Sequence, residues 1–148
     1  MNEVIRERVA KAELFSKGEN TMRRLILNIG LVLAIIYIVP FVVYGVGSVV
    51  AGLKPPEGAS PATFLVSVFV SKFGTAICFV LIFYFAREGL RGRWLLYACL
   101  WWLMFVIGEV GQAIGPQYSW PEAVAGIISE TVYWPLSAFV THRMTGAR

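Results

Sequence analysis

The sequence contains no aspartate, one histidine and two cysteines. The absence of aspartate excludes an intramembrane aspartyl protease dyad. With only His142, near the C-terminus, the chain lacks the ligand clusters that zinc, haem and di-iron sites use. Cys78 and Cys99 lie inside apolar runs without a CxxC spacing, which argues against a disulfide framework. The sequence therefore predicts neither a metal nor another cofactor.

Charge is also scarce. Charged residues make up 15% of the 148 positions and hydrophobic residues 57%, whereas about a quarter of a typical soluble domain is charged. So few charges cannot cover a surface in water, and the long apolar runs indicate the lipid bilayer as the solvent and partner. The net charge of +4 does not predict nucleic-acid binding here, because basic residues of membrane proteins chiefly set orientation.

Four apolar segments are each long enough to cross about 30 Å of hydrocarbon at about 1.5 Å per residue. The sequence predicts an all-α integral membrane protein, a four-transmembrane-helix bundle formed by residues 22–148. Its predicted helices span about 25–52, 61–86, 94–114 and 120–141. Ser60-Pro61 reads as a helix start, and Ser119 with Glu122 has the spacing of a capping box.

Residues 1–21 differ from the rest of the chain. Ile5, Val9 and Ala12 recur at helical spacing among charged residues, which predicts a short amphipathic cytoplasmic helix. Gly18 is expected to break this helix before the first membrane span. Three alternatives remain open for this segment: it lies on lipid headgroups, docks on a partner, or is a partly frayed tail.

The basic residues predict the orientation. Eleven of the 13 lysines and arginines precede helix 1, join helices 2 and 3, or follow helix 4. The opposite side holds only Lys54, in short loops with turn signals at Gly58, Gly115 and Pro116. The positive-inside rule then places both termini in the cytoplasm. We expect a multi-pass protein of the cell membrane, the inner membrane in a bacterium.

Charged residues also fall inside the predicted spans. Lys72 and Glu130 lie at about the same depth, roughly 15 Å from the outer boundary, and Glu109 lies at about 8 Å. Gln112 follows one turn further out on helix 3. A charge at the centre of a membrane helix costs about 2.5–3.5 kcal/mol, so these side chains must face the bundle interior or a water-filled cavity. They form a predicted polar track that opens to the outer face.

Aromatic residues accompany the track. On helix 4, Tyr133 and Trp134 follow Glu130 on one predicted face, and a carboxylate among aromatic rings suits an organic cation or an amphipathic ligand. The predicted ligand-binding or proton-binding residues are Lys72, Glu109, Gln112, Glu130, Tyr133 and Trp134.

Three functions remain open on these residues. The first is binding or moving a small solute, cation or proton along the track. The second is a non-catalytic accessory subunit or assembly factor in which Lys72 and Glu130 form a structural ion pair. The third, less favoured, is an enzyme that uses Glu109 or Glu130 as an acid or base on a lipid-soluble substrate.

The small size of the chain predicts a homo-oligomer or another membrane protein as partner. The GxxxG spacing of Gly111 and Gly115 predicts close helix packing within the bundle or between subunits.

Overall fold

The structure, a computed structural model, describes residues 2–53, 60–115 and 118–146. The described chain is all-helical, with α1 at Asn2–Val50, α2 at Pro61–Ala86, α3 at Trp94–Ile114 and α4 at Trp120–Thr145. Each helix contains a stretch that is long and apolar enough to cross a membrane. The predicted fold class is confirmed at this level, and the bounds of α2 and α3 agree with the prediction.

The predicted break at Gly18 is wrong. One helix of 49 residues runs through Gly18 into the apolar span, a length of about 74 Å. Glycine in a helix interior costs only about 0.5–1 kcal/mol relative to alanine, so one glycine does not have to end a helix. The side chains of Ile5, Val9 and Ala12, which define the predicted amphipathic face, lie outside the described residues.

Both predicted helix starts are confirmed. The Ser60 side chain accepts a hydrogen bond from Thr63 N–H at 3.2 Å, with Pro61 in the first turn. Ser119 and Glu122 form the capping box, in which the Ser119 N–H donates to the Glu122 carboxylate at 2.7 Å. These caps satisfy N–H groups that have no partner within the helix. The predicted turn residues Gly58 and Pro116 and the predicted lone base Lys54 lie outside the described residues.

The four helices run up and down, and α4 is the central one. We call the end where α1 and α3 finish the distal end, and the opposite end, where α4 finishes, the terminal end. Half of the α4 span is buried, against 11–17% of the other three spans. Helix α4 packs along α1 and α3, while α2 packs mainly on α1. Any side chain on α4 is therefore close to several helices at once.

The outer surface of the described bundle is apolar. Phe41, Val66, Leu100 and Val132, one from each helix, are about half exposed or more. Apolar surface of this extent is unfavourable in water and neutral in hydrocarbon. The surface agrees with a bundle of membrane helices, and the orientation of the termini stays a prediction.

An aromatic cluster fills the terminal half of the bundle. Trp134 of α4 is fully buried, and its ring lies 5.1 Å from those of Phe79 and Trp101 and 5.0 Å from that of Phe105. The Tyr97 hydroxyl of α3 donates to the Phe79 carbonyl of α2 at 2.5 Å. Large rings at such distances contribute both buried area and ring–ring attraction. The cluster therefore joins α2, α3 and α4 near the terminal end.

Candidate functional site

A cavity of about 560 Å³ occupies the distal half of the bundle. Its walls come from α1, α2 and α4, with Glu109 from α3 and Tyr118 from the connection to α4. The cavity reaches from Ser48 to Ile36 along α1, about 18 Å of helix. Most of the lining is apolar or aromatic. The polar and charged lining side chains are Tyr37, Tyr44, Ser48, Lys72, Glu109, Tyr118, Glu122, Ser129, Glu130 and Tyr133.

The cavity begins where the contacts between α2 and α3 stop. Among the described residues, the ring contacts and hydrogen bonds that join α2 to α3 involve Phe79 and Phe83 of α2. The contact nearest the distal end is that of the Lys72 ammonium with the Phe105 ring. Beyond it, residues 62–67 of α2 are exposed on every face. The distal part of α2 thus stands away from α3 and leaves space beside α4.

Lys72 lies at the inner end of the cavity. Its ammonium is 5.3 Å from the centre of the Tyr133 ring and 5.7 Å from that of Phe105, which are cation–π distances. No carboxylate of the described residues lies within 4.0 Å of this ammonium. Lys72 and Glu130 share the cavity, but the direct ion pair of the structural interpretation is not formed.

Glu130 is the most buried charged residue of the described chain. Its side chain is 2% exposed, and its Oε2 has no hydrogen-bond partner. It lines the cavity together with residues of α1 and α2, one turn before Tyr133. A buried carboxylate oxygen without a partner is costly, so the oxygen is placed to accept a hydrogen bond from a bound molecule or water.

Glu109 crosses from α3 onto the surface of α4. A Cβ added at Gly126 would lie 2.5 Å from the Glu109 carboxyl carbon, so the carboxylate occupies the space that a side chain at position 126 would need. Glu109 Oε2 is also buried without a partner. Because Gly126 precedes Glu130 by one helical turn, the two carboxylates lie about one turn apart along α4.

A hydroxyl pair lies at the distal end of the cavity. The Tyr44 and Tyr118 hydroxyls are 2.9 Å apart, and Tyr44 also donates to the Glu122 carbonyl at 3.2 Å. The pKa of the Tyr118 phenol lies above its usual value because the ring is partly buried and because the Tyr44 hydroxyl and the Glu109 carboxylate are close. These bonds tie α1 to the start of α4.

Pro40 adds a backbone acceptor to the cavity wall. It lies within α1, and both it and Ile36 line the cavity. Proline has no N–H, so the Ile36 carbonyl has no partner four residues along the helix. Helix α1 continues through this position, as α4 continues through Pro135.

Four of the six predicted site residues line the cavity, namely Lys72, Glu109, Glu130 and Tyr133, and two do not. Gln112 is exposed, with its Nε2 3.5 Å from the Gly108 carbonyl. A spacing of three residues is a rotation of about 60° on a helix, which is enough to turn Gln112 away from the cavity. Trp134 lies one position beyond Tyr133 and belongs to the aromatic cluster. The predicted track therefore lacks its outermost member.

Three residues that shape the cavity are absent from the sequence-based prediction of the site. Tyr44 and Tyr118 were indistinguishable from interfacial aromatics, and Gly126 has no side chain to attract notice. The GxxxG spacing predicts close packing at Gly111, but a Cβ added at Gly111 would meet nothing within 4 Å. The prediction that Gly111 packs closely within the described bundle is therefore wrong. Its packing between subunits stays a prediction.

The arrangement is suited to binding more than to metal chemistry. No group of three potential metal ligands occurs among the described residues. Three carboxylates, one ammonium, four phenols and two serine hydroxyls instead surround an apolar space. Comparisons with protein-family models, with curated protein sequences and with solved structures find no significant match. The function is therefore argued from the geometry of the cavity.

Proposed function

We propose that the protein binds, and in the membrane moves, a small amphipathic organic cation in the distal cavity. The observation that carries the proposal is the pair of buried carboxylate oxygens, Glu109 Oε2 and Glu130 Oε2, which lack hydrogen-bond partners beside an apolar space. An ammonium group of a ligand supplies the hydrogen bonds that both oxygens lack.

The charges of the cavity support a cation. The Glu122 carboxylate is already held by Ser119. Among the remaining charged groups of the cavity, Glu109 and Glu130 outnumber Lys72 by one negative charge when all three are ionised. An uncompensated charge in hydrocarbon is costly, and a ligand with one positive charge neutralises the site. An anion would add to the excess and would be held by Lys72 alone.

The lining supports an apolar body attached to that charge. Phe41, Phe64, Leu65 and Val68 face the space between α1 and α2, and Tyr37 contacts Phe69 edge-on with ring centres 6.1 Å apart. The cavity volume of about 560 Å³ lies within the range of about 300–1,000 Å³ that is usual for pockets that bind a small organic molecule. Aromatic faces add attraction for a cation.

Binding can be tested with two probes of similar size and opposite charge, phenylethylammonium and phenylacetate. Titration calorimetry of the purified protein in detergent should show the cation binding at least tenfold more tightly, about 1.4 kcal/mol. Glu109→Gln and Glu130→Gln should each weaken cation binding about tenfold, because each removes a charged carboxylate with a buried oxygen that has no hydrogen-bond partner.

Glu122→Gln is the matched control for this experiment. Glu122 also lines the cavity, but its carboxylate is already held by the Ser119 N–H and hydroxyl. Cation affinity should therefore stay within about twofold. Equal affinity for the two probes, or unchanged affinity in Glu109→Gln and Glu130→Gln, would refute the proposed cation site.

The second candidate is an accessory subunit or assembly factor. The feature that favours it is the continuous extension of α1, about 28 Å of helix before Thr21, on which Phe15 is 77% exposed. Such an extension suits contact with another protein. Purified protein that is stable alone, forms a homo-oligomer and binds phenylethylammonium would favour the transporter. Stability only in the presence of another membrane protein would favour the accessory subunit.

A further inference from the structure

A second set of buried polar side chains continues from the cavity toward the terminal end. After Glu130 and Tyr133, the same face of α4 presents Ser137 and Thr141, each 0% exposed. From Glu130 to Thr141 the row covers about 16 Å of helix. None of these residues below Tyr133 lines the cavity, so the row is a separate feature.

Helix α1 supplies the opposite wall of the row. Asn28 is 1% exposed, and its side-chain oxygen accepts a hydrogen bond from the Thr141 hydroxyl at 3.3 Å. Since α1 and α4 are antiparallel, with Tyr44 opposite Glu122 at the distal end, Val32 and Ile36 lie between these two contacts. The wall is thus polar at both ends and apolar at its centre.

Most polar atoms along the row have no protein partner. They are Glu130 Oε2, Tyr133 Oη and Ser137 Oγ of α4 and Asn28 Nδ2 of α1. A single buried polar atom without a partner costs about 1–3 kcal/mol, so four between the same two helices require a common explanation. Buried water is the usual partner of such groups and typically makes about three hydrogen bonds.

We infer that bound water fills this row and joins the distal cavity to the terminal end, so that protons reach Glu130 from that side. Val32 and Ile36, both 0% exposed, form the apolar centre of the opposite wall. In the cavity Glu130 faces Lys72 of α2, Glu109 of α3 and Tyr44 of α1.

Hydration is tested by cysteine accessibility in the full-length protein. In a background with Cys78 and Cys99 replaced by alanine, Ser137→Cys and Thr141→Cys are compared with Ala138→Cys. Ala138 is equally buried at 0% exposed but lies one position off the row. The probe is Ag⁺, applied in the membrane, and the thiols left unreacted are then counted after denaturation.

Both row variants should react at least tenfold faster than Ala138→Cys. Equal rates at the three positions would overturn the water-filled row. The thermal stability of each variant shows whether it folds. Thr141→Cys repeats the test should Ser137→Cys not fold.

The proton route is tested by dye-reported acidification of vesicles containing the protein under an imposed potential. Ser137→Ala and Thr141→Val should slow proton entry at least fivefold, while Ser71→Ala, on an exposed face of α2, should not. Unchanged entry in both row variants would overturn the route even if the thiols react. The inference rests on the proposed function only for the role of Glu130, and neither measurement uses phenylethylammonium. A failure of cation binding therefore leaves the row to stand or fall on its own results.

Discussion

The terminal and distal halves of the bundle differ in how closely their helices pack. In the terminal half, ring contacts among Phe79, Tyr97, Trp101 and Trp134 join α2, α3 and α4. In the distal half, α2 stands away from α3, and charged side chains face a cavity of about 560 Å³. The terminal half therefore holds the fold, which allows the distal half to keep groups that are unfavourable for stability.

Lys72 marks the boundary between the halves. Its ammonium contacts the Phe105 and Tyr133 rings at the edge of the aromatic cluster while its other side faces the cavity. Rings accept a cation without the fixed geometry of an ion pair. The ammonium can thus balance two carboxylates without being bound to either, and this leaves both carboxylates available to a ligand.

The largest loss of stability is expected from a substitution in the aromatic cluster. Trp134→Ala should lower the free energy of unfolding by about 3–5 kcal/mol, because it removes a ring that contacts four other rings. Chemical unfolding in detergent measures the loss. Trp120→Ala, at a side chain 57% exposed, should change stability by no more than about 0.5 kcal/mol. A similar loss at both positions would contradict the claim that the terminal half holds the fold.

Substitutions of Lys72 and Glu130 in the cavity should change the free energy of unfolding by unequal amounts. Lys72→Met should cost about 3 kcal/mol, because it leaves two buried carboxylates without a balancing charge. Glu130→Gln should cost little or stabilise, because Glu109 still balances Lys72 and an unpartnered charge is lost. The same unfolding experiment measures both. A direct structural ion pair would instead give comparable losses for the two variants and recovery in the double variant.

Two glycines provide a smaller test in the distal half. Gly126→Ala should cost about 1–3 kcal/mol, because its Cβ would lie 2.5 Å from the Glu109 carboxyl carbon. Adding Glu109→Ala should recover most of this loss. Gly111→Ala meets nothing within 4 Å and should stabilise the helix by about 0.5–1 kcal/mol. Equal effects of the two alanines would show that Glu109 does not pack on Gly126.

The sequence predicts the fold well because the relevant forces act locally. The apolar runs fix where α2 and α3 lie, and Ser60 and Ser119 mark helix starts through bonds to residues three positions away. The error at Gly18 is also local. Helix propensity is a weak preference, and the neighbouring residues outweighed one glycine.

The site is less predictable because it depends on the rotation of each helix about its axis. Spacing along one helix correctly groups Glu130 with Tyr133, but it does not reveal that Trp134 turns into the aromatic cluster or that Gln112 turns outward. Gly126 gains its role only from Glu109 on another helix. Contacts between helices leave no pattern in a single sequence.

The smallest effects come from removing one hydroxyl in each half. Tyr97→Phe breaks a bond to the Phe79 carbonyl within the aromatic cluster, so it should cost about 1 kcal/mol. Tyr44→Phe breaks bonds with Tyr118 and Glu122 at the distal end, where the hydroxyls are only partly buried and water can replace them, and it should cost about half as much. Unfolding measures both losses, and titration with phenylethylammonium separates them further. Tyr44→Phe should change cation affinity because its hydroxyl lines the cavity, whereas Tyr97→Phe should not. A larger stability loss from Tyr44→Phe would reverse the assignment of stability to the terminal half and binding to the distal half.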